Sequence, residues 1–150
     1  MTTIALPQLV VVKLPAGLDL LNSNQRLGRH ERIRYTREIR TAAGWTALGQ
    51  PALRAALGAA KPAPLYQRIH VHGIVHPAKP CHFDPANWYP SFKAAIDGLV
   101  DVRLIEDDDH TRVAGPDMRP GAPVEGGQIE LHIRPIAHGQ QWPDPAAIAA

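Results

Sequence analysis

Two stretches of the chain, residues 65–76 and 128–136, alternate apolar and polar side chains with a period of two. This period predicts β-strands with one buried face, because successive side chains of a strand point to opposite sides of the sheet. In the first stretch, the apolar set is Ile69, Val71 and Val75 and the polar set is Arg68, His70, His72 and His76. In the second stretch, the inward set is Ile129, Leu131 and Ile133 and the outward set is Glu130, His132 and Arg134. We expect His70 and His72 on the exposed face of the sheet.

The remaining segments complete the predicted architecture. Residues 9–14 form a short β-branched run that predicts a strand buried on both faces. Residues 26–43 favour a helix, as do residues 90–101, where apolar side chains recur at helical spacing. A further strand should start near residues 111–114. The order strand, helix, strand, helix, strand, strand predicts one α+β domain over the whole chain, with helices packed on one face of a mixed β-sheet and a loosely held tail from about residue 138.

The composition argues against several classes of protein. The single cysteine, Cys81, cannot form an internal disulfide, and the nearby histidines lack the paired spacing of a structural zinc site. Apolar runs are far shorter than the roughly twenty residues that cross a membrane, and the start of the chain lacks a signal-peptide pattern. We therefore expect a cytoplasmic protein with no membrane partner. The absence of P-loop, G-x-G-x-x-G and G-x-S-x-G motifs argues against a nucleotide cofactor and a serine hydrolase.

Charge is distributed unevenly along the sequence. Residues 26–40 hold six arginines against two glutamates, which leaves a surplus of four positive charges. Residues 81–110 hold seven acids against two bases, which leaves a deficit of five. A basic arm and an acidic centre suit a metal-dependent nuclease, since one can bind the DNA backbone and the other an ion. The alternatives are that both segments are simply solvated, the first as a helix face and the second as a turn.

The acidic segment has a geometry that favours a site. Lys93, Asp97 and Asp101 are spaced by four residues and share one helix face, which should point toward the loops with Asp84 and residues 107–109. Two carboxylates about 4 Å apart repel by roughly 4 kcal/mol at the effective dielectric of a surface cleft. Converging acids therefore need protons or a cation, and oxygen ligands favour Mg²⁺ or Mn²⁺.

This segment resembles the active-site pattern of the RusA family of Holliday junction resolvases, many of which are encoded by phages or prophages. That pattern has an aspartate pair, an asparagine, a lysine, an aspartate four residues further on, and a closing Asp-Asp pair. The matching positions are Asp84, Asn87, Lys93, Asp97, Asp107 and Asp108. The second aspartate of the family's first pair falls on Ala86, and the stretch from Asn87 to Lys93 is longer than in the family. The arginine segment and the final strand are also similar, so the resemblance covers most of the chain.

The resemblance implies a metal-dependent endonuclease that resolves Holliday junctions or related branched DNA by paired phosphodiester nicks, in DNA recombination and repair. It implies catalytic roles for all six matching residues, with Mg²⁺, or Mn²⁺ in its place, held by Asp84, Asp107 and Asp108. It also implies a homodimer that binds a four-way junction. The residues expected to contact DNA are Lys93 together with Arg26, Arg29, Arg34, Arg37 and Arg40. The alternative, motivated by Ala86, is a protein of the same fold that binds junctions without cleaving them.

Overall fold

A computed structural model describes residues 5–137 of the protein. In chain order its elements are β1 (Val10–Lys13), α1 (Arg29–Leu48), α2 (Pro51–Ala60), β2 (Ile69–His76), a 3₁₀ turn (Pro85–Trp88), α3 (Tyr89–Asp101), β3 (Val113–Pro120) and β4 (Gln128–Pro135). The tail predicted from residue 138 lies outside the described residues. None of the helices within residues 5–137 is both long enough and apolar enough to cross a membrane.

The four strands form one mixed sheet in the order β1-β4-β2-β3. Strand β4 is antiparallel to both of its neighbours, and Ile133 lies opposite Val10 on one side and Val71 on the other. Strand β3 is parallel to β2, and its register shifts between His70 and His72. The helices pack on one face of this sheet, which confirms the predicted α+β architecture.

The helix-facing side of the sheet carries the hydrophobic core. All six inward side chains of the two alternating stretches are fully buried: Ile69, Val71, Val75, Ile129, Leu131 and Ile133. Gly73 lies in the same row of β2, and a Cβ atom at this position would come within 2.7 Å of the Phe92 ring on α3. The missing side chain at Gly73 therefore allows α3 to rest directly on β2.

Strand β1 differs from its prediction. It is an edge strand in which Val10 and Val12 are buried, whereas Val11 is partly exposed and Lys13 is exposed. The prediction of burial on both faces was wrong, because helices cover only one face of the sheet. An edge position also explains how β3 can contain Pro116 and Pro120. Proline has no N–H group to donate, and an edge strand can leave such a position unpaired.

The helical segment after β1 is longer than predicted and is followed by a second helix. Helix α1 begins three residues later than expected, at Arg29, and continues through Gly44 to Leu48. Gly44 lies within the helix and does not end it. Its missing side chain allows α1 to pack closely against Val102, since a Cβ atom at Gly44 would lie 3.2 Å from Val102 Cγ1. Helix α2 was not predicted; it starts at Pro51, a residue suited to the first turn of a helix.

Helices α1 and α3 are almost in backbone contact. A Cβ atom at Gly98 on α3 would lie 2.1 Å from the carbonyl oxygen of Arg40 on α1, and 3.2 Å from the Cβ of Ala43. No side chain fits between the two helices at this point. The contact brings the basic helix alongside the helix that carries Lys93, Asp97 and Asp101.

Replacing Gly98 with alanine should therefore destabilise the protein by about 3 kcal/mol or more, since the added methyl group overlaps a backbone carbonyl that cannot rotate away. Gly58 on α2 is the matched control, because the space around its Cβ position is open. Gly58→Ala should be neutral or should stabilise the protein by up to about 1 kcal/mol, as alanine favours a helix. Urea unfolding measures both changes, and similar effects at the two positions would contradict the close contact of α1 and α3.

Candidate active site and DNA-binding surface

The polar face of α3 is directed at the turn that follows the helix. The Lys93 ammonium donates hydrogen bonds to Asp97 Oδ1, at 3.0 Å, and to Asp108 in the turn. The Lys93 and Asp97 side chains are 45% and 28% exposed, so solvent can reach the group. The prediction that this face meets the acidic turn is confirmed for Asp108.

The segment after α3 is firmly anchored. The side chains of Leu104 and Ile105 are fully buried. The backbone amides of Leu65 and Tyr66 donate to the carbonyl oxygens of Arg103 and Leu104, at 2.9 and 3.0 Å respectively. The turn that carries Asp108 therefore starts from a fixed position next to α3.

The three aspartates of the turn, Asp107, Asp108 and Asp109, differ in their contacts and exposure. Asp107 Oδ1 accepts a hydrogen bond from the backbone amide of Asp108 at 2.7 Å. Asp109 Oδ1 accepts from the backbone amide of Thr111 at 2.8 Å. Both residues are exposed, whereas Asp108 is partly buried and faces α3. The solvated-turn interpretation thus fits Asp107 and Asp109, but it does not fit Asp108.

The contact between Lys93 and Asp108 fixes the charge of both groups. The hydrogen bond from Lys93 is the main reason that the pKa of Asp108 lies below its usual value. Partial burial disfavours the charged form of Lys93, but the hydrogen bonds and charges of Asp108 and Asp97 outweigh it and raise the pKa of Lys93. At neutral pH Lys93 is therefore a poor proton acceptor and Asp108 a poor proton donor. What the pair offers a substrate is fixed charge rather than acid–base catalysis.

Asp84 and Asn87 lie at the 3₁₀ turn before α3. The exposed Asp84 carboxylate caps this turn by accepting a hydrogen bond from the backbone amide of Ala86 at 3.0 Å. The carbonyl oxygen of Asn87 accepts from the backbone amide of Ser23 at 2.8 Å. Ala86, where the RusA pattern has an acid, contributes its backbone to the cap.

The three predicted metal ligands are not assembled as a ligand group. Within residues 5–137, no three side chains of histidine, cysteine, aspartate or glutamate are arranged to hold a metal ion. Asp84 and Asp107 accept hydrogen bonds from nearby backbone, and Asp108 accepts one from Lys93. Carboxylate oxygens are the ligand type that Mg²⁺ prefers in proteins.

The basic arm begins beside the 3₁₀ turn. The connection from β1 to α1 is fixed there by the Ser23–Asn87 bond and by Ser91, whose Oγ accepts from the Leu21 amide at 2.7 Å and donates to the Leu21 carbonyl at 2.8 Å. The predicted DNA-binding arginines Arg26, Arg29, Arg34 and Arg37 follow, and all four are exposed. The structure thus brings the arginine segment and the acidic segment to the same region of the molecule.

Arg40 differs from the other predicted DNA-binding residues. Its guanidinium donates to both carboxylate oxygens of Asp101, each at 2.6 Å. The hydrogen bond from Arg40 lowers the pKa of Asp101, so the carboxylate is ionised at neutral pH. Arg40 is therefore a neutralised member of an ion pair between α1 and α3, and it differs from the free phosphate-binding arginine that the sequence predicted.

The histidines of the sheet are less exposed than predicted. His70 is only 7% exposed, and its Nε2 lies 2.5 Å from an Asp117 oxygen on β3. Glu130 lies between two imidazoles, 2.5 Å from His76 Nε2 and 3.0 Å from His132 Nε2. The alternation placed these side chains on the correct face, but exposure of His70 was wrong because the neighbouring strand covers it.

Helix α1 also carries an exposed tryptophan that was not predicted from the sequence. Trp45 is 73% exposed, whereas a tryptophan in a helix more often packs in a core. Its position was available from the helical period, because it lies two residues from both Ala43 and Ala47, which are buried. Such a spacing puts Trp45 on the opposite side of the helix from the core.

Comparison with protein-family models and with curated proteins finds no match to this chain. The likeness to the RusA pattern therefore rests on the residues described above.

The exposed arginines of α1 give a direct test of which surface meets DNA. Replacing Arg34 and Arg37 with alanine should weaken binding to a synthetic four-way junction and flatten its salt dependence by about 0.9 per lost phosphate contact on duplex DNA. The matched control is the double variant Arg119→Ala and Arg134→Ala, which removes the same charge from exposed positions on β3 and β4. Affinity measured over a salt series should change much more for the first pair. Equal effects would show that only total charge matters.

Proposed function

We propose that the protein is an endonuclease that cleaves branched DNA, similar to the RusA-type Holliday junction resolvases. The observation that carries the proposal is the contact of Lys93 with both Asp97 and Asp108. These three residues match the family's pattern at its own spacing, and Asp108 comes from a separate turn. A shared binding site would explain both the spacing of the lysine and the two acids in the sequence and their contact in the structure.

The position of the basic arm supports DNA as the substrate. Arg26 and Arg29 follow directly on the segment that is bonded to Asn87. A phosphate backbone bound along α1 would therefore pass close to the 3₁₀ turn and to Lys93. In this proposal Lys93 stabilises charge on the scissile phosphate, Asp97 positions the Lys93 side chain, and Asn87 helps to orient the strand.

The proposed reaction is phosphodiester hydrolysis with Mg²⁺, or with Mn²⁺ in its place. When bound, such an ion activates water and neutralises charge on the phosphate. This part rests on the oxygen-donor chemistry of Asp84, Asp107 and Asp108 and on the family resemblance, because the three do not form a ligand group as they stand. The resemblance also leads us to propose a homodimer that makes paired nicks in a four-way junction, in recombination and repair in the cytoplasm.

A second candidate function is junction binding without cleavage. Two observations favour it: Ala86 replaces an expected acid, and the described residues contain no three-ligand group. This candidate keeps the DNA-binding role of α1 and gives the contact between Lys93 and Asp108 a structural role. The two functions predict different effects of removing the charge of Asp108.

Asp108→Asn should reduce nicking of a four-way junction at least about 100-fold, the upper range for loss of a residue that supports a metal site. Folding should survive, because a partly exposed ion pair contributes about 1 kcal/mol or less. Junction affinity should stay equal or rise, since a negative charge near phosphate is lost. Asp84→Asn should have the same effects on nicking, folding and affinity. Its amide oxygen can still cap the 3₁₀ turn.

The matched control is Glu106→Gln. Glu106 belongs to the same acidic turn, but it forms an ion pair with Arg112 at 2.7 Å instead of contacting Lys93. Nicking is measured in Mg²⁺ and Mn²⁺, and binding by gel shift in Ca²⁺ or EDTA. If Asp108→Asn nicks as fast as the control, Asp108 has no catalytic role and the assignment of the site is wrong.

A further inference from the structure

Three depressions lie in a row along α1, and each shares lining residues with the next; together we call them the groove. The first lies between residues 32 and 41 of α1 and is shared with Asp101, and the second continues past Arg40 to Trp45 and Leu48. The third runs from Leu48 and Val102 to the end of α2. From residue 32 to residue 48, a helix rises roughly 24 Å, which is comparable with seven base pairs of duplex.

The lining of this groove is strongly basic. Its cationic side chains come from α1, the end region of α2 and the turn after α3: Arg32, Arg37, Arg40, Arg54, Lys61 and Arg103. Among the lining residues Asp101 is the only acid, and it is paired with Arg40. Uncompensated positive charge along a groove fits a polyanion that lies in it.

Trp45 lies in the middle of this groove. Trp45 is 73% exposed and does not belong to the hydrophobic core, so its indole face is accessible to a partner. Trp45 lines the same depression as Arg40, and the neighbouring depressions are lined by further arginines and a lysine. This composition resembles surfaces that bind nucleic-acid strands, where bases stack on aromatic rings and phosphates meet cations. A duplex interior offers no free base face, since each base is stacked on both sides. An indole can therefore stack only on a base that has lost a neighbour.

We propose that this groove binds a DNA strand that leaves the branch point, with its phosphates on Arg54 and Lys61 and an unpaired base stacked on Trp45. The inference rests on the proposed DNA-binding function, but it does not require cleavage. It adds α2 and Trp45 to the interface, neither of which the arginine segment of the sequence indicated. Trp45 acts here as a binding residue that recognises an open base.

The test compares three DNA probes of equal length: a single-stranded oligonucleotide, a four-way junction and a fully paired duplex. Trp45→Ala should weaken binding to the first two by about 5- to 150-fold, the range for loss of one stacked base, and should leave duplex affinity unchanged. Trp45→Phe should retain most of the affinity because it keeps an aromatic face. Trp45→Leu, which is apolar but cannot stack, should behave like Trp45→Ala.

Arg54→Ala combined with Lys61→Ala should flatten the salt dependence of single-strand binding by about 0.7 per lost contact. The double variant Arg29→Ala and Arg34→Ala, at two exposed positions of α1 that do not line the groove, distinguishes failure of this inference from failure of the proposed function. If that variant weakens junction binding while Trp45→Ala does not, the groove inference is overturned and DNA binding stands. If neither variant changes binding, both are overturned.

Two further outcomes would also overturn the inference. The first is an equal loss of affinity for duplex and for single strand after Trp45→Ala, which would show that no open base is recognised. The second is a change in oligomeric state on light scattering that accounts for the lost affinity, since Trp45 would then contact a second copy of the chain. Unchanged thermal unfolding of the variants is the control for folding.

Discussion

The close approach of α1 to α3 at Gly98 is the constraint on which the arrangement of charge depends. Because no Cβ atom separates Gly98 from the Arg40 carbonyl, the two helices are in close contact at this point. Arg40 reaches Asp101 with two hydrogen bonds, and the acidic stripe of α3 lies next to the arginines of α1. A larger residue at Gly98 would separate the basic surface from the acidic one.

Three of the acids in this region, Asp97, Asp101 and Asp108, contact cations of the protein itself. Lys93 contacts Asp97 and Asp108, and Arg40 contacts Asp101. This arrangement reduces the repulsion that the sequence predicts among converging carboxylates. It also means that an ion bound at Asp108 would have to compete with the Lys93 ammonium, so any metal dependence should be sensitive to that contact.

Strands β2 and β4 could be predicted because their apolar side chains recur with a period of two. The inward side chains Ile69, Val71, Ile129 and Leu131 are all fully buried, as that period predicts. The same logic failed where tertiary context decides. Helix α2 was not predicted, because it is short and its boundary residues Gly49 and Pro51 are typical of loops. The burial of His70 depends on the pairing of β3 with β2, which no local sequence pattern predicts.

The site shows the same division between what a period can and cannot predict. Helical spacing placed Lys93, Asp97 and Asp101 on one face, and the structure agrees. Within the acidic turn, no period distinguishes Asp107, Asp108 and Asp109, so which of them faces α3 depends on backbone hydrogen bonds such as that from the Asp108 amide to Asp107. The exposure of Trp45 could be predicted from the helical period. The groove around it could not, because it depends on the position of α2.

The most direct measurement is strand cleavage by the unmodified protein on a synthetic four-way junction, with EDTA, Mg²⁺ or Mn²⁺, beside a duplex of the same sequence. A branched-DNA endonuclease should give paired nicks near the branch point with a divalent ion, none in EDTA, and far less cleavage of the duplex. Tight binding of the junction without nicking under any of these conditions would contradict the nuclease and leave a junction-binding protein. Failure to bind the junction at all would contradict both functions.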